Sequence, residues 1–176
     1  METPSQSARV IVTTESLERI REARSSLKSA LPDARIRSAG FKGIFIVEVD
    51  GDALELARRI QQECSASIGR ATAVVAEVQS RFDLIKEAAV QAGRNQIRAD
   101  ERFCFRLHKR GSHWLEKDTL SIEREIGGEI WQALEQKYGT KPLVDLKNPD
   151  TTVVAEVLGP TTAIGILRKE WRREHA

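Results

Sequence analysis

The chain has 176 residues, of which 40% are hydrophobic and 31% charged, a balance that suits a soluble folded protein and excludes a disordered one. Residues 1–97 carry 14 Lys plus Arg against 13 Asp plus Glu, and residues 98–176 carry the same two totals. Bulk charge therefore does not select a nucleic-acid partner, and only local clusters of cations could. No apolar run approaches the ~20 residues that span a bilayer, and Met1-Glu2-Thr3-Pro4-Ser5-Gln6-Ser7 lacks a signal-peptide core. Cys64 and Cys104 fall in different segments without CxxC spacing. A cytoplasmic protein with reduced, half-buried thiols is expected, with no disulfide and no metal.

Arg9–Thr13 is a β-branched run and predicts the first strand. Leu17, Ile20, Leu27 and Leu31 then recur at helical spacing, with Thr14 or Ser16 as the cap and Pro32-Asp33 as the stop. Ala34–Ser38 and Ile44–Val49 read as two strands around a tight glycine turn. Asp50-Gly51 ends the second of them. Asp52 opens a helix whose first-turn acids suit its positive end, with Leu54, Ala57, Ile60 and Cys64 as the buried stripe. Residues 71–78 supply a fourth strand. The order β-α-β-β-α-β is that of the split βαβ, or ferredoxin-like, arrangement. A further helix, Phe82 to about Ile97, carries Phe82, Ile85 and Ala89 inward, with Ala92-Gly93-Arg94-Asn95 as a possible break. The spacing places a boundary near residue 80, giving an N-terminal domain over 1–80 and a second domain over 81–176.

In the second half, Phe103, Phe105 and Leu107 alternate with Arg102, Cys104, Arg106 and His108, so the first set faces a core. This strand runs into Lys109-Arg110-Gly111-Ser112-His113, a flexible basic turn that is either a solvated loop or a phosphate contact. Trp114 follows as a stacking candidate or a core residue. Ile122, Ile126, Ile130, Leu134 and Tyr138 give one long helix an apolar face, broadened by Trp131 and stopped by Gly139. Gly127-Gly128 is unusual there, since each glycine costs roughly 1 kcal/mol relative to Ala. Close packing on the sheet explains it most simply, and a ligand against the backbone is the alternative. Leu143–Leu146, a turn at Lys147-Asn148-Pro149-Asp150, Thr152–Leu158, and Ala163–Leu167 after Gly159-Pro160 complete the strands. The tail carries Arg168-Lys169, Trp171 and Arg172-Arg173, a cation cluster or a solvated terminus.

The segment Val144-Asp145-Leu146-Lys147-Asn148-Pro149-Asp150, set after the basic-ended strand and the long helix, resembles the THUMP domain, an RNA-binding module that recurs in tRNA-modifying proteins. The resemblance covers about residues 82–170. A ferredoxin-like domain commonly precedes such modules, so the first half agrees by topology. The short chain, with no room left for a catalytic domain, is similar to the compact, archaeal-type adaptor of tRNA cytidine acetyltransferase, and it lacks the acidic insertions of eukaryotic members. What the resemblance implies is an α/β protein that binds tRNA and presents it to a separate acetyltransferase, with no catalysis of its own. The implied contacts are Arg106, Lys109, Arg110, Lys141, Lys147, Arg168 and Lys169, with Asn148 as a polar contact.

The motif inventory agrees with a non-enzyme that holds no cofactor. No GxGxxG follows a strand, and no GxxxxGK[ST] is present. His108, His113 and His175 make no metal spacing. Two alternatives stay open: a protein-interaction module without an RNA role, and an RNA-binding subunit for another tRNA-modifying enzyme.

Overall fold

The computed structural model describes residues 6–172, so Arg173, His175 and the first five residues lie outside the described residues. The described residues form a mixed α/β fold of eight strands and four α-helices, and the chain divides into two units. One comprises residues through Val74 together with Glu170 onward, and the other is Val75–Lys169.

In the first unit the β-branched run becomes β1 (Ser7–Thr14), flanked by β3 (Ile44–Asp50) and β4 (Ile68–Gln79). Val10 pairs with Val47 on one side and with Ala73 on the other, both antiparallel. Strand β2 (Arg35–Ser38) pairs with the far side of β3, giving the order β2-β3-β1-β4. Helix α1 (Ile20–Ala30) buries Ala23 and Leu27, while Leu17 lies in a separate 3-10 turn and stays exposed. Helix α2 (Ala53–Glu63) starts where expected, because the Asp52 carboxylate accepts the N–H groups of Leu54 and Glu55. Its inner ridge is Leu56, Ala57, Ile60 and Cys64. Leu54, expected in that stripe, is only half-buried: it sits in the capped first turn, and the i, i+4 row from Leu56 carries the packing. Trp171, read in the sequence as part of a basic tail, is buried.

In the second unit the strand order is β4-β8-β7-β5-β6. Strand β5 (Arg102–His108) runs parallel to β7 (Thr151–Leu158) and to the two-residue β6 (Leu143–Val144), and β7 is antiparallel to β8 (Thr161–Arg168). Thr151 and residues 153–157 are all buried, so β7 is covered on both faces, with Glu156 a buried charge among Val153, Val154, Ala155 and Val157. Strand β6 is shorter than the expected Leu143–Leu146. Asp145 ends it by accepting the N–H groups of Lys147 and Asn148 at 3.0 and 2.9 Å.

Helix α3 (Phe82–Gln96) does not break at Gly93. Gly93 packs tightly against helix α4 (Thr119–Tyr138): a Cβ there would sit 2.8 Å from Ile130 Cγ2. Helix α4 begins three residues before the expected Ile122 because the Asp118 carboxylate caps the Ser121 N–H. Ile122, Ile126, Ile130 and Leu134 are buried as the spacing requires, and Gly139 ends the helix at φ 71°. Close packing does not explain Gly127 and Gly128, since a Cβ at either would meet nothing within 4 Å.

Candidate nucleic-acid interface

The residues expected to bind RNA all lie in the second unit, but the fold separates them. The seven residues of β5 span roughly 20 Å, with the Lys109 turn at one end and the Lys147 turn at the other.

The first end is a tethered loop. Gly111, at φ 72°, makes the turn, and the Gly159 N–H donates to the Arg110 carbonyl at 2.8 Å. The Trp114 N–H donates to the Ser80 carbonyl at 3.2 Å. Ser80 is itself buried, with its hydroxyl 2.7 Å from both the Gly159 carbonyl and Thr162 Oγ1. On this frame the Trp114 indole is 49% exposed, and the Arg81 guanidinium lies 4.4 Å from the ring centroid. Lys117 Nζ lies 4.3 Å from the Phe82 ring, and Lys109 Nζ donates to the Lys117 carbonyl at 2.6 Å. Cations and aromatics therefore interleave here, the combination that takes phosphates and bases together.

Arg110 has a different role. Its guanidinium donates to Glu156 Oε2 at 2.6 Å, and the Glu156 side chain is fully buried in β7. Lys109 and Arg110, adjacent in sequence and both half-buried, thus differ in partner, a surface carbonyl for one and a buried carboxylate for the other.

At the second end, Lys141, Lys147, Asn148 and Lys169 are exposed. Arg102 joins them, with its N–H donating to Asp150 Oδ2 at 2.8 Å and its guanidinium 3.4 Å from Asp145 Oδ2. The N–H donors of Asn148 and Lys147, with the Arg102 charge behind them, hold the Asp145 carboxyl below its usual value of 3.8. A lowered folded value means that this carboxylate orders the turn fully above the ordinary value and releases it as pH falls through the lowered one. The Lys147 and Asn148 amides should therefore keep constant NMR shifts and slow exchange through neutral and mildly acidic pH, and change only below 3.8. In Asp145→Ala both amides should lose this protection at neutral pH.

Arg168, expected among the RNA contacts, points inward. Its guanidinium is 9% exposed, lies 3.4 Å from Glu101 Oε1, and donates to Thr151 Oγ1 at 3.0 Å and the Gln96 carbonyl at 3.0 Å. Arg106 lies between the two ends, donating to the Leu146 carbonyl at 2.6 Å and facing Glu123 at 3.7 Å.

Sequence reasoning missed Arg81, Lys117 and Arg102. Their charges were visible, but nothing local linked Arg81 to an indole 33 positions later. The cysteines, expected to be half-buried, are both buried, and that burial pushes their thiols up. No helix among the described residues is long and apolar enough to cross a membrane.

Comparison with known proteins places this frame. A probable tRNA sulfurtransferase of Macrococcus caseolyticus is 29% identical over 140 residues, covering 76% of this chain and 33% of that protein. The chain thus spans about a third of the length of that relative. A protein of Pyrococcus horikoshii shares the fold with a TM-score of 0.61 at 20% identity, over 92% of this chain and 54% of the other. A 4-thiouridine synthetase solved with RNA and ATP shares it with a TM-score of 0.57 at 18% identity, over 93% and 42% of the two chains. The THUMP domain model matches residues 79–167, just over half of the chain, from the last residue of β4 almost to the end of β8. Its span takes in the tethered basic loop, the long helix and the Lys147 turn alike, and this chain belongs to the THUMP domain family.

Proposed function

We propose that this chain binds tRNA and presents it to a tRNA-modifying active site formed outside residues 6–172. A THUMP domain implies tRNA binding and a place in tRNA modification. The observation that carries the reading here is the half-exposed Trp114 indole under Arg81, beside Lys109 and Lys117, on a loop tied down at both ends. Lys141, Lys147 and Lys169 at the far end of β5 add a second group of cations, a separation suited to an extended backbone. Arg110 and Arg168 are left out of the contact set, because both are held in ion pairs with buried or nearly buried carboxylates.

We infer a role without chemistry of its own; Cys64 and Cys104, whose burial raises the proton affinity of their thiols, are poor nucleophiles. An adaptor raises a partner's rate by holding substrate at high effective concentration. The resemblance to the acetyltransferase adaptor makes cytidine acetylation the first chemistry to test. The 29% identity to a probable tRNA sulfurtransferase favours sulfur transfer as the second.

Binding should be salt-dependent. Replacing Arg81, Lys109, Lys147 or Lys169 singly by Ala should lower the slope of log K against log salt by roughly 0.7–0.9 each. Trp114→Ala should cost about 1–3 kcal/mol of binding, the worth of one stacked base. Filter binding of total tRNA over a salt series reads both effects. Wild-type slopes in the four cation variants and wild-type affinity in Trp114→Ala would remove these residues from the interface. For the acetylation role, tRNA, acetyl-CoA and ATP are incubated with the acetyltransferase with and without this protein. Equal acetylcytidine at saturating protein overturns that assignment, and the same design with a sulfurtransferase tests the second.

A further inference from the structure

Beside α4 the second unit carries a groove of about 320 Å³, the size of a small-ligand site. Leu120 and Trp131 of α4 line it together with Val144 and Leu146, and Leu120, Val144 and Leu146 are each more than half exposed. Gly127 and Gly128 also line it, on the stretch of α4 where an added Cβ meets nothing. Two adjacent mid-helix glycines cost roughly 2 kcal/mol against alanines, and no packing among the described residues offsets that. Their effect is to bare a strip of helix backbone that a flat ring can approach.

The opposite wall is β5, which also lines the groove. The Phe103 carbonyl accepts the Asp145 N–H at 3.0 Å, and the Leu107 N–H donates to Glu123 Oε2 at 3.0 Å, both on the side away from β7. Strand geometry turns the N–H and C=O of Phe105, midway between them, to the same side. Among the described residues neither group has a hydrogen bond there, because the chain leaves the edge at Asp145. Phe105 is 3% exposed, and a buried backbone donor and acceptor side by side call for a partner.

We propose that this groove receives one unpaired nucleobase, its polar edge on the Phe105 N–H and C=O and its face against the Gly127–Gly128 backbone beside Trp131. Each base has an acceptor next to a donor on its Watson–Crick edge, which matches the Phe105 pair. Arg124, exposed and lining the same groove, meets the attached phosphate. The inference deepens the tRNA reading and rests on it for the source of the base, but not for the groove itself.

The test is amide NMR of the full chain, titrated with adenosine or cytidine monophosphate and separately with a short single-stranded RNA. The expected result is saturable shifts at Phe105, Gly127, Gly128 and the Trp131 indole, stronger with RNA than with mononucleotide. Gly127→Leu, filling the groove from a position with free space, should weaken this response about tenfold or more with a melting temperature no lower than that of the wild type. Gly127→Ala should keep it. Should the leucine variant misfold, Arg124→Glu reads the same site through the phosphate. Shifts with mononucleotide in a protein that does not retain tRNA would uphold the groove and sink the tRNA reading. Bound tRNA with none of these signals moved, by RNA or by mononucleotide, would overturn the groove and leave the tRNA reading intact.

Discussion

Arg110→Ala is expected to lower the stability of the chain by about 3 kcal/mol, whereas Lys109→Ala should stay within about 0.5 kcal/mol. The difference follows from where the two partners lie. Lys109 bonds a backbone carbonyl at the surface, an interaction that water can replace. Arg110 donates at 2.6 Å to a carboxylate with no solvent exposure, in the strand that both faces of the sheet bury. Taking away one member of such a pair leaves charge in the interior, at a cost of about 3–5 kcal/mol. The lower end applies because Glu156 takes part in further interactions. Replacing Glu156 by Gln in the Arg110→Ala background removes the stranded charge and should recover part of the loss. Urea unfolding of the four proteins measures this directly. Equal losses for Lys109 and Arg110 would show that the carboxylate does not depend on its guanidinium. The result also governs how RNA binding is probed, since reversing both charges together would confuse a lost contact with a damaged fold.

Gly93→Ala, a change that favours an ordinary helix by up to about 1 kcal/mol, should here destabilise by about 1–3 kcal/mol. The added Cβ would sit 2.8 Å from Cγ2 of Ile130. Ile130 is fully buried, and a β-branched side chain in a helix is held in one rotamer, so the methyl cannot swing away. Either α3 and α4 part or both distort, and the overlap outweighs the propensity gain. Ile130→Ala alone should cost about 2–5 kcal/mol through the cavity that it leaves. In that background Gly93→Ala has room and should become neutral or stabilising. A sign reversal between the two backgrounds is the decisive reading of the double-mutant cycle. Additive losses would mean that the helices meet elsewhere.

The elements that rest on local periodicity were legible in the chain. Ile122, Ile126, Ile130 and Leu134 mark α4 because four residues bring a side chain back to one face, and Phe103, Phe105 and Leu107 mark β5 because two do. Asp52 and Gly139 marked helix ends through chemistry that lies within a few residues of each. The THUMP resemblance was readable for the same reason: it depends on the order of such elements.

The candidate site was legible only as a set of basic turns. Nothing near Arg110 or Arg168 shows that each is taken by a carboxylate, because Glu156 and Glu101 lie 46 and 67 positions away. Nothing near Gly127 shows that its face opens on a groove, since the opposite wall is a strand about 20 residues earlier. Chain pattern by itself determined which residues carry charge, which side of each element is apolar, and the order of the elements. Only the tertiary structure decided which cations remain at the surface, because ion pairing and burial join residues far apart in the chain, and periodicity carries no information about them.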